Sequence, residues 1–259
     1  MKTDKADAVK IARYALDNWA DLRDYTPMDT IRYDLKTLNR QFQLASKQRT
    51  ASANNLIALL EQSFPGIRKC FDSPVRSDGT QKWVDFAHTF WHVDCVRKQS
   101  LNAYSERYRK WCRRHGYIFK QSNAEEVYSL AKNAVVLVPK PEVTKVLVQE
   151  AANQLTSISR SVETYRAEME RLASMLPEYP VVMEMYGVGK SFGPQLMAEI
   201  GDVRRFERKQ SLVAFAGIDP IPNQSGDKNV RSNKSSKRGS PYLRKTLFNV
   251  MGIYLKCSP

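Results

Sequence analysis

The stretch AANQLTSISRSVETYRAEMERLASML, residues 151–176, sets the fold class. Its apolar side chains Ala151, Leu155, Ile158, Val162, Tyr165, Met169, Leu172 and Leu176 recur at alternating steps of four and three. That spacing is the heptad of a helix laying one seam along a partner. A weaker series with the same steps runs through Ile31, Leu35, Leu38, Phe42, Ala45, Arg49, Ser52, Leu56 and Leu59, polar at its centre. Pro27 precedes the earlier helix and Pro177 follows the later one, where proline is expected to bound helices. The simplest arrangement is an antiparallel coiled-coil hairpin, with arms over 29–63 and 143–177 and residues 64–142 inserted at its tip. Two ordinary helices in a bundle are the alternative. Inside the insert, Phe64-Pro65-Gly66 and Ser77-Asp78-Gly79-Thr80 read as turns and the middle as helix. Ala134-Val135-Val136-Leu137-Val138 reads as a strand ahead of Pro139 and Pro141.

The whole chain has 259 residues, with 41 Lys and Arg against 27 Asp and Glu, a formal net charge of +14. A chain of this length buries a large core, which argues against disorder. Such a positive balance favours a polyanionic partner, with nucleic acid foremost. No apolar run reaches the roughly 20 residues that cross a bilayer, and Met1 to Asp7 lacks the apolar core of a signal peptide. Cys70, Cys95, Cys112 and Cys257 are too scattered for a disulfide framework, so a reducing, cytoplasmic setting is expected.

The charge is concentrated in two blocks. From Arg97 to Lys120, eight basic residues face one acid, Glu106, with Tyr104, Tyr108, Trp111 and Tyr117 among them. That mixture suits phosphate contact with base stacking, or else a solvated helix whose aromatics face a core. From Arg204 to Lys245, eleven basic residues face Glu207, Asp219 and Asp227. Within it, Gln224 to Ser240 is polar and reads as a loop.

Several short motifs carry candidate chemistry. His88, His92, Cys95, Cys112 and His115 lack the paired knuckles of a zinc ribbon, and two of them sit in a basic run that repels cations. Gly187-Val188-Gly189-Lys190-Ser191 resembles the tail of a phosphate-binding loop, but Glu184 stands where that pattern needs glycine. Flanked by apolar helical stretches, it fits a helix-hairpin-helix turn better. There Gly187 and Gly189 would let backbone N–H groups approach a DNA phosphate, with Lys190 as a point charge. Asp4 and Asp7, three apart at a helix start, either suit the helix dipole or share one metal ion. Ser225 lies in Asn223-Gln224-Ser225-Gly226, and no histidine follows residue 115 to act as its base.

In this order and at these spacings, the motifs resemble the DEDD-type insertion-sequence transposases of the one-ten class, which are bridge-RNA-guided DNA recombinases. That family ends the acidic tetrad of its RNase H-like (RuvC-like) domain in K-T-D-x-x-D-A, matched by Lys2 to Ala8. Its coiled coil is followed by a helical C-terminal domain. The counterparts there are Gly187-Val188-Gly189, Ala198-Glu199-Ile200-Gly201-Asp202, Ala214-Phe215-Ala216-Gly217, Ser225-Gly226 and Lys237-Arg238-Gly239 through Leu243-Arg244-Lys245.

The resemblance implies a mainly α protein with five parts. These are an RNase H-like remnant (1–28), two coiled-coil arms (29–63 and 143–177), a basic tip insert (64–142) and a C-terminal serine domain with a helix-hairpin-helix-like turn (178–259). It implies Asp4 and Asp7 as Mg²⁺ ligands, and Ser225 as the nucleophile that holds a DNA strand as phosphoserine. Lys228, Arg231, Lys234, Lys237, Arg238, Arg244 and Lys245 would neutralise the backbone. DNA, a guide RNA and a second copy of the chain are the implied partners, in a prokaryotic cytosol and on the nucleoid, with no membrane. The tetrad's other two members precede this motif in the family, so a truncated, inactive product is the expectation. A non-catalytic helix-hairpin-helix nucleic-acid-binding protein is the competing one.

Overall fold

The computed structural model describes residues 4–21, 28–137, 142–220, 223–225, 228–230 and 234–257. Helix dominates them. α1 (Asp4–Asp17) leads to α2 (Thr30–Ser63), the insert helices α3 (Lys82–Thr89), α4 (Asp94–Arg97), α5 (Leu101–Arg114) and α6 (Gln121–Asn133), and then α7 (Glu142–Ser174). The C-terminal part holds α8 (Tyr179–Glu184), α9 (Phe192–Ile200), α10 (Lys209–Ala216), a hairpin of β1 (Asn223–Ser225) and β2 (Lys228–Val230), and α11 (Pro241–Cys257).

α2 and α7 lie side by side with opposite polarity. Asp29 caps α2, its carboxylate accepting from the Arg32 N–H at 3.0 Å and pairing with the Arg32 guanidinium. Arg32 also reaches across to Glu178, beyond the end of α7, at 2.6 Å. Halfway along, Arg49 meets Glu163 at 3.5 Å. The heptad of α7 faces inward: Ala151, Leu155, Val162, Met169, Leu172 and Leu176 are buried, Ile158 and Tyr165 partly so. They pack on Leu35, Phe42, Ala45, Leu56 and Leu60 of α2. The polar centre of α2 survives because Arg49 is charge-paired and Ser52 is small.

The insert has a core of its own, continuous with the far ends of α2 and α7. Phe86 stacks on Phe90 with ring centroids 4.7 Å apart, ringed by Tyr104, Tyr108 and Trp111, all buried. Two of their polar tips are satisfied: Tyr108 donates to Asn123 Oδ1 at 2.6 Å and Trp111 Nε1 donates to Thr89 Oγ1 at 3.0 Å, whereas the Tyr104 hydroxyl is buried without a partner among the described residues. Tyr104, Tyr108 and Trp111 of the first basic block therefore serve packing rather than base stacking, while Tyr117 is only partly buried.

Two other expectations change. Residues 134–137 form no strand, and Val138 lies outside the described residues. Strand geometry needs a ladder partner, and this segment packs Ala134 and Val136 on the insert core while the Leu137 N–H donates to the Gln62 carbonyl at 3.3 Å. Between Gln224 and Ser240, the expected loop contains the β1–β2 ladder, with Ser225 opposite Lys228, and a bridge between Pro220 and Ser235.

Candidate nucleic-acid interface

The C-terminal part is built on the turn between α8 and α9. Gly187 takes φ +79°, a conformation glycine adopts without strain, and rests against Val250 and Tyr254 of α11. Val188 is buried, which leaves Gly189 and Lys190 exposed at the apex. The Gly189 carbonyl accepts the Phe192 and Gly193 N–H groups at 3.0 and 2.9 Å and so starts α9. The N–H groups of Gly189, Lys190 and Ser191 take no protein acceptor among the described residues. No atom lies within 4 Å of where a Gly189 Cβ would stand. An anion has room to approach here.

Glu199, near the end of α9, ties this part of the chain to α2. It is almost fully buried and accepts from Asn39 Nδ2 at 2.7 Å, from Arg40 Nη2 at 3.0 Å and from Ser240 Oγ at 3.1 Å. One turn earlier, Gln195 accepts from Gln43 at 2.7 Å, and Gln43 in turn accepts from Lys245 Nζ at 2.7 Å. Ser240 also accepts from the Leu243 N–H at 3.2 Å, capping α11. The segment before it is clamped on the Phe215 turn. The Ser240 N–H donates to the Phe215 carbonyl at 2.7 Å, and a Cβ on Gly239 would lie 2.0 Å from that oxygen. Lys237 takes φ +56° while its N–H donates to the Gly217 carbonyl at 3.0 Å.

This network shapes a basic groove. A cavity of about 880 Å³ between α2 and α11 is bordered by Arg40, Gln43, Lys47, Tyr242 and Lys245. A second, of about 500 Å³, continues past Lys36, Glu199 and Arg238. The Arg40 guanidinium lies 3.4 Å above the Tyr242 ring. Arg40 Nη1 and Ser46 Oγ, both on the border of the larger cavity, are buried without hydrogen-bond partners. Just beyond α9, Asp202 is held at about 2 by the Arg204 side chain and then by its backbone N–H, so it stays ionised at neutral pH.

Several site residues expected from sequence therefore gather here. Arg238 and Lys245 are exposed on the groove, and Lys237 and Lys234 are exposed nearby in sequence. Arg244 donates to the Ala216 carbonyl at 3.1 Å, so it serves the chain's own packing. Ser225 and Lys228 sit opposite each other on the hairpin backbone, and Arg231 lies outside the described residues. Asp4 and Asp7 occupy the first turn of α1, with Asp7 4.0 Å from Lys10. They join no cluster of three or more metal-ligating side chains among the described residues. Sequence reasoning missed Asn39, Arg40, Gln43 and Tyr242. The available signal was the polar pair Asn39 and Gln43, one helical turn apart beside the apolar seam.

Comparison with known proteins fits these features. The family model described as "Transposase IS116/IS110/IS902 family" matches residues 179–259, and a DEDD-type transposase model matches residues 1–65. The transposase for insertion sequence element IS1111A of Coxiella burnetii is 31% identical over 121 residues, 46% of this chain and 32% of that protein. The insertion element IS116 uncharacterized 44.8 kDa protein of Streptomyces clavuligerus is 23% identical over 232 residues, 87% of this chain and 54% of that protein. The chain thus spans about half or less of the length of these curated relatives. The matched models at both ends of the chain, together with these relatives, support an IS110-family insertion-sequence transposase.

Proposed function

We propose that this chain is a DNA-recombinase segment that grips DNA along the groove between α2 and α11. The observation that carries this reading is the groove itself: Lys36, Arg40, Lys47, Arg238 and Lys245 line it, and the Glu199 network holds it in shape. The exposed Gly189–Lys190 apex supplies backbone donors in the manner of a helix-hairpin-helix. In this reading α2 and α7 are the arms of a coiled-coil hairpin, 64–142 is its tip insert, 1–28 derives from an RNase H-like domain, and 178–259 is the serine domain. A second copy of the chain, a guide RNA and the nucleoid complete the setting.

Ser225 is the proposed nucleophile. Its oxygen bonds to a DNA phosphorus as the P–O3′ bond breaks, the 3′ oxygen takes up the serine proton, and the strand remains on the protein as phosphoserine. Lys228, Arg231, Lys234 and Lys237 are the proposed phosphate partners. Two carboxylates at i and i+3, with no third ligand among the described residues, make an incomplete shell for Mg²⁺, which Asp4 and Asp7 alone would hold weakly. For the same reason the chain by itself is proposed to bind DNA without cutting it, which also favours the non-catalytic alternative for this stretch.

Incubation with nicked and intact duplexes, followed by denaturing gels and peptide mapping, tests the reading. Salt-sensitive binding weakened by Arg238→Gln and Lys245→Gln is expected, with no covalent adduct. Binding indifferent to both substitutions sinks the groove assignment. Cleavage lost on Ser225→Ala overturns the inactivity, and an adduct on another residue overturns the serine.

A further inference from the structure

Residues 66–178 lie between the two stretches that match transposase models, and the reading above gives the insert no task. Its helix α5 buries Tyr104, Ser105, Tyr108, Trp111 and Cys112. The opposite arc exposes Arg107, Arg109, Lys110, Arg113 and Arg114, with Glu106 the one acid on the helix. Glu106 is taken by Arg109 at 2.7 Å, and Arg107 donates to the Cys95 carbonyl at 3.3 Å. Lys110, Arg113 and Arg114 have no ion-pair or hydrogen-bond partner among the described residues.

Lys110 stands i,i+3 from both Arg107 and Arg113 and i,i+4 from Arg114. Like charges at those spacings destabilise a helix. The repulsion is tolerated because the aromatic core behind α5 fixes it, and a polyanion laid along this face relieves it. The neighbouring cations differ. Arg97 and Lys98 are both bound to Asp94, at 2.6 and 3.1 Å. The groove of about 570 Å³ edged by Arg76, Lys82 and Lys120 also contains Asp72 and Glu126. Of these described cations of the insert, Lys110, Arg113 and Arg114 on α5 are the ones that no acid neutralises and no carbonyl engages.

We infer that this face is a second nucleic-acid contact, which grips the phosphate backbone without reading bases. This helix offers no stacking platform, since its own aromatics Tyr104, Tyr108 and Trp111 are internal. Arg107 to Arg114 spans about 10 Å of helix, enough to meet successive phosphates of one strand. The contact stands independently of Ser225 and of the α2–α11 groove.

The test uses the full chain, with fluorescently labelled random-sequence DNA and RNA duplexes titrated across a salt series. Lys110→Gln/Arg113→Gln/Arg114→Gln should weaken low-salt binding at least ~10-fold and flatten the log–log salt slope by about 2–3, as expected for three lost phosphate contacts. Lys110→Arg/Arg113→Lys/Arg114→Lys should keep both, because point charges suffice. Repeating the comparison in an Arg238→Gln/Lys245→Gln background separates this face from the C-terminal groove. The duplex on which the loss is larger identifies the backbone served. Unchanged affinity and slope in the triple glutamine variant, with its circular dichroism intact, overturn the inference. A loss in the charge-preserving variant does so too, as does a loss seen with anionic lipid vesicles but with neither duplex.

Discussion

Replacing Glu199 by alanine removes the acceptor on which three donors from two segments converge. Its side chain is 1% exposed and takes hydrogen bonds from Asn39, Arg40 and Ser240. Removing one member of a buried ion pair costs about 3–5 kcal/mol, because the other charge stays desolvated. Arg40 keeps a third of its side chain in water and rests on Tyr242, which places the value near the lower end. Asn39 is fully buried and its Oδ1 already lacks a partner, so Glu199→Ala strands its amide altogether. The expected loss is about 3 kcal/mol, which for a chain of this size lowers the melting temperature by about 6–12 °C. Equilibrium urea unfolding followed by far-ultraviolet circular dichroism reads the change. Glu168→Ala, which breaks the exposed pair with Arg171, is the control and should leave the midpoint in place. A Glu199→Ala midpoint as close to wild type as the control's would refute the reasoning.

Gly189→Ala should change stability by less than about 0.5 kcal/mol, since its Cβ meets open space. It should nonetheless weaken DNA binding if the turn meets a phosphate; wild-type affinity would remove the turn from the interface. Gly239→Ala should cost more than about 2 kcal/mol, because the new carbon collides with the Phe215 carbonyl rather than with a movable side chain; an unshifted thermal melt would contradict that. The Cys70 thiol is pushed up to about 12, by burial first and then by the Glu126 carboxylate. Its alkylation at pH 8, followed by peptide mass spectrometry, should run ~10³-fold slower than that of a free thiol. Reaction at the free-thiol rate would mean that the site opens readily.

What could be read from the chain depended on how local each signal was. The seam of α7 is written in consecutive heptads, so its buried face follows from spacing alone. The Asn39–Glu199 and Gln43–Gln195 bonds join residues more than 150 positions apart, and no local pattern announces them. Arg97 to Lys120 was ambiguous because an amphipathic helix and a stacking platform share a composition; only the position of Phe86 and Phe90 decides that Tyr104, Tyr108 and Trp111 turn inward. The β-branched run at 134–138 misled because strand propensity has no effect without a neighbouring strand. Of the site, the basic residues of 228–245 were legible as composition. The contribution of Arg40 and Tyr242 was not, because it depends on how α11 docks against α2.

The two ends of the insert meet. Ser63 reaches the Trp91 carbonyl at 2.9 Å, the Val93 N–H reaches the Ser63 carbonyl at 3.1 Å, and Leu137 returns to Gln62. A segment that leaves and rejoins its host at one point can be gained or lost as a unit while the long helices keep their register. Such a cassette can be deleted and replaced by a short connector, provided that Leu56, Leu60, Val148 and Leu155, which it covers, are made polar at the same time. It can also be moved onto the helix pair of another protein, carrying its cationic face with it.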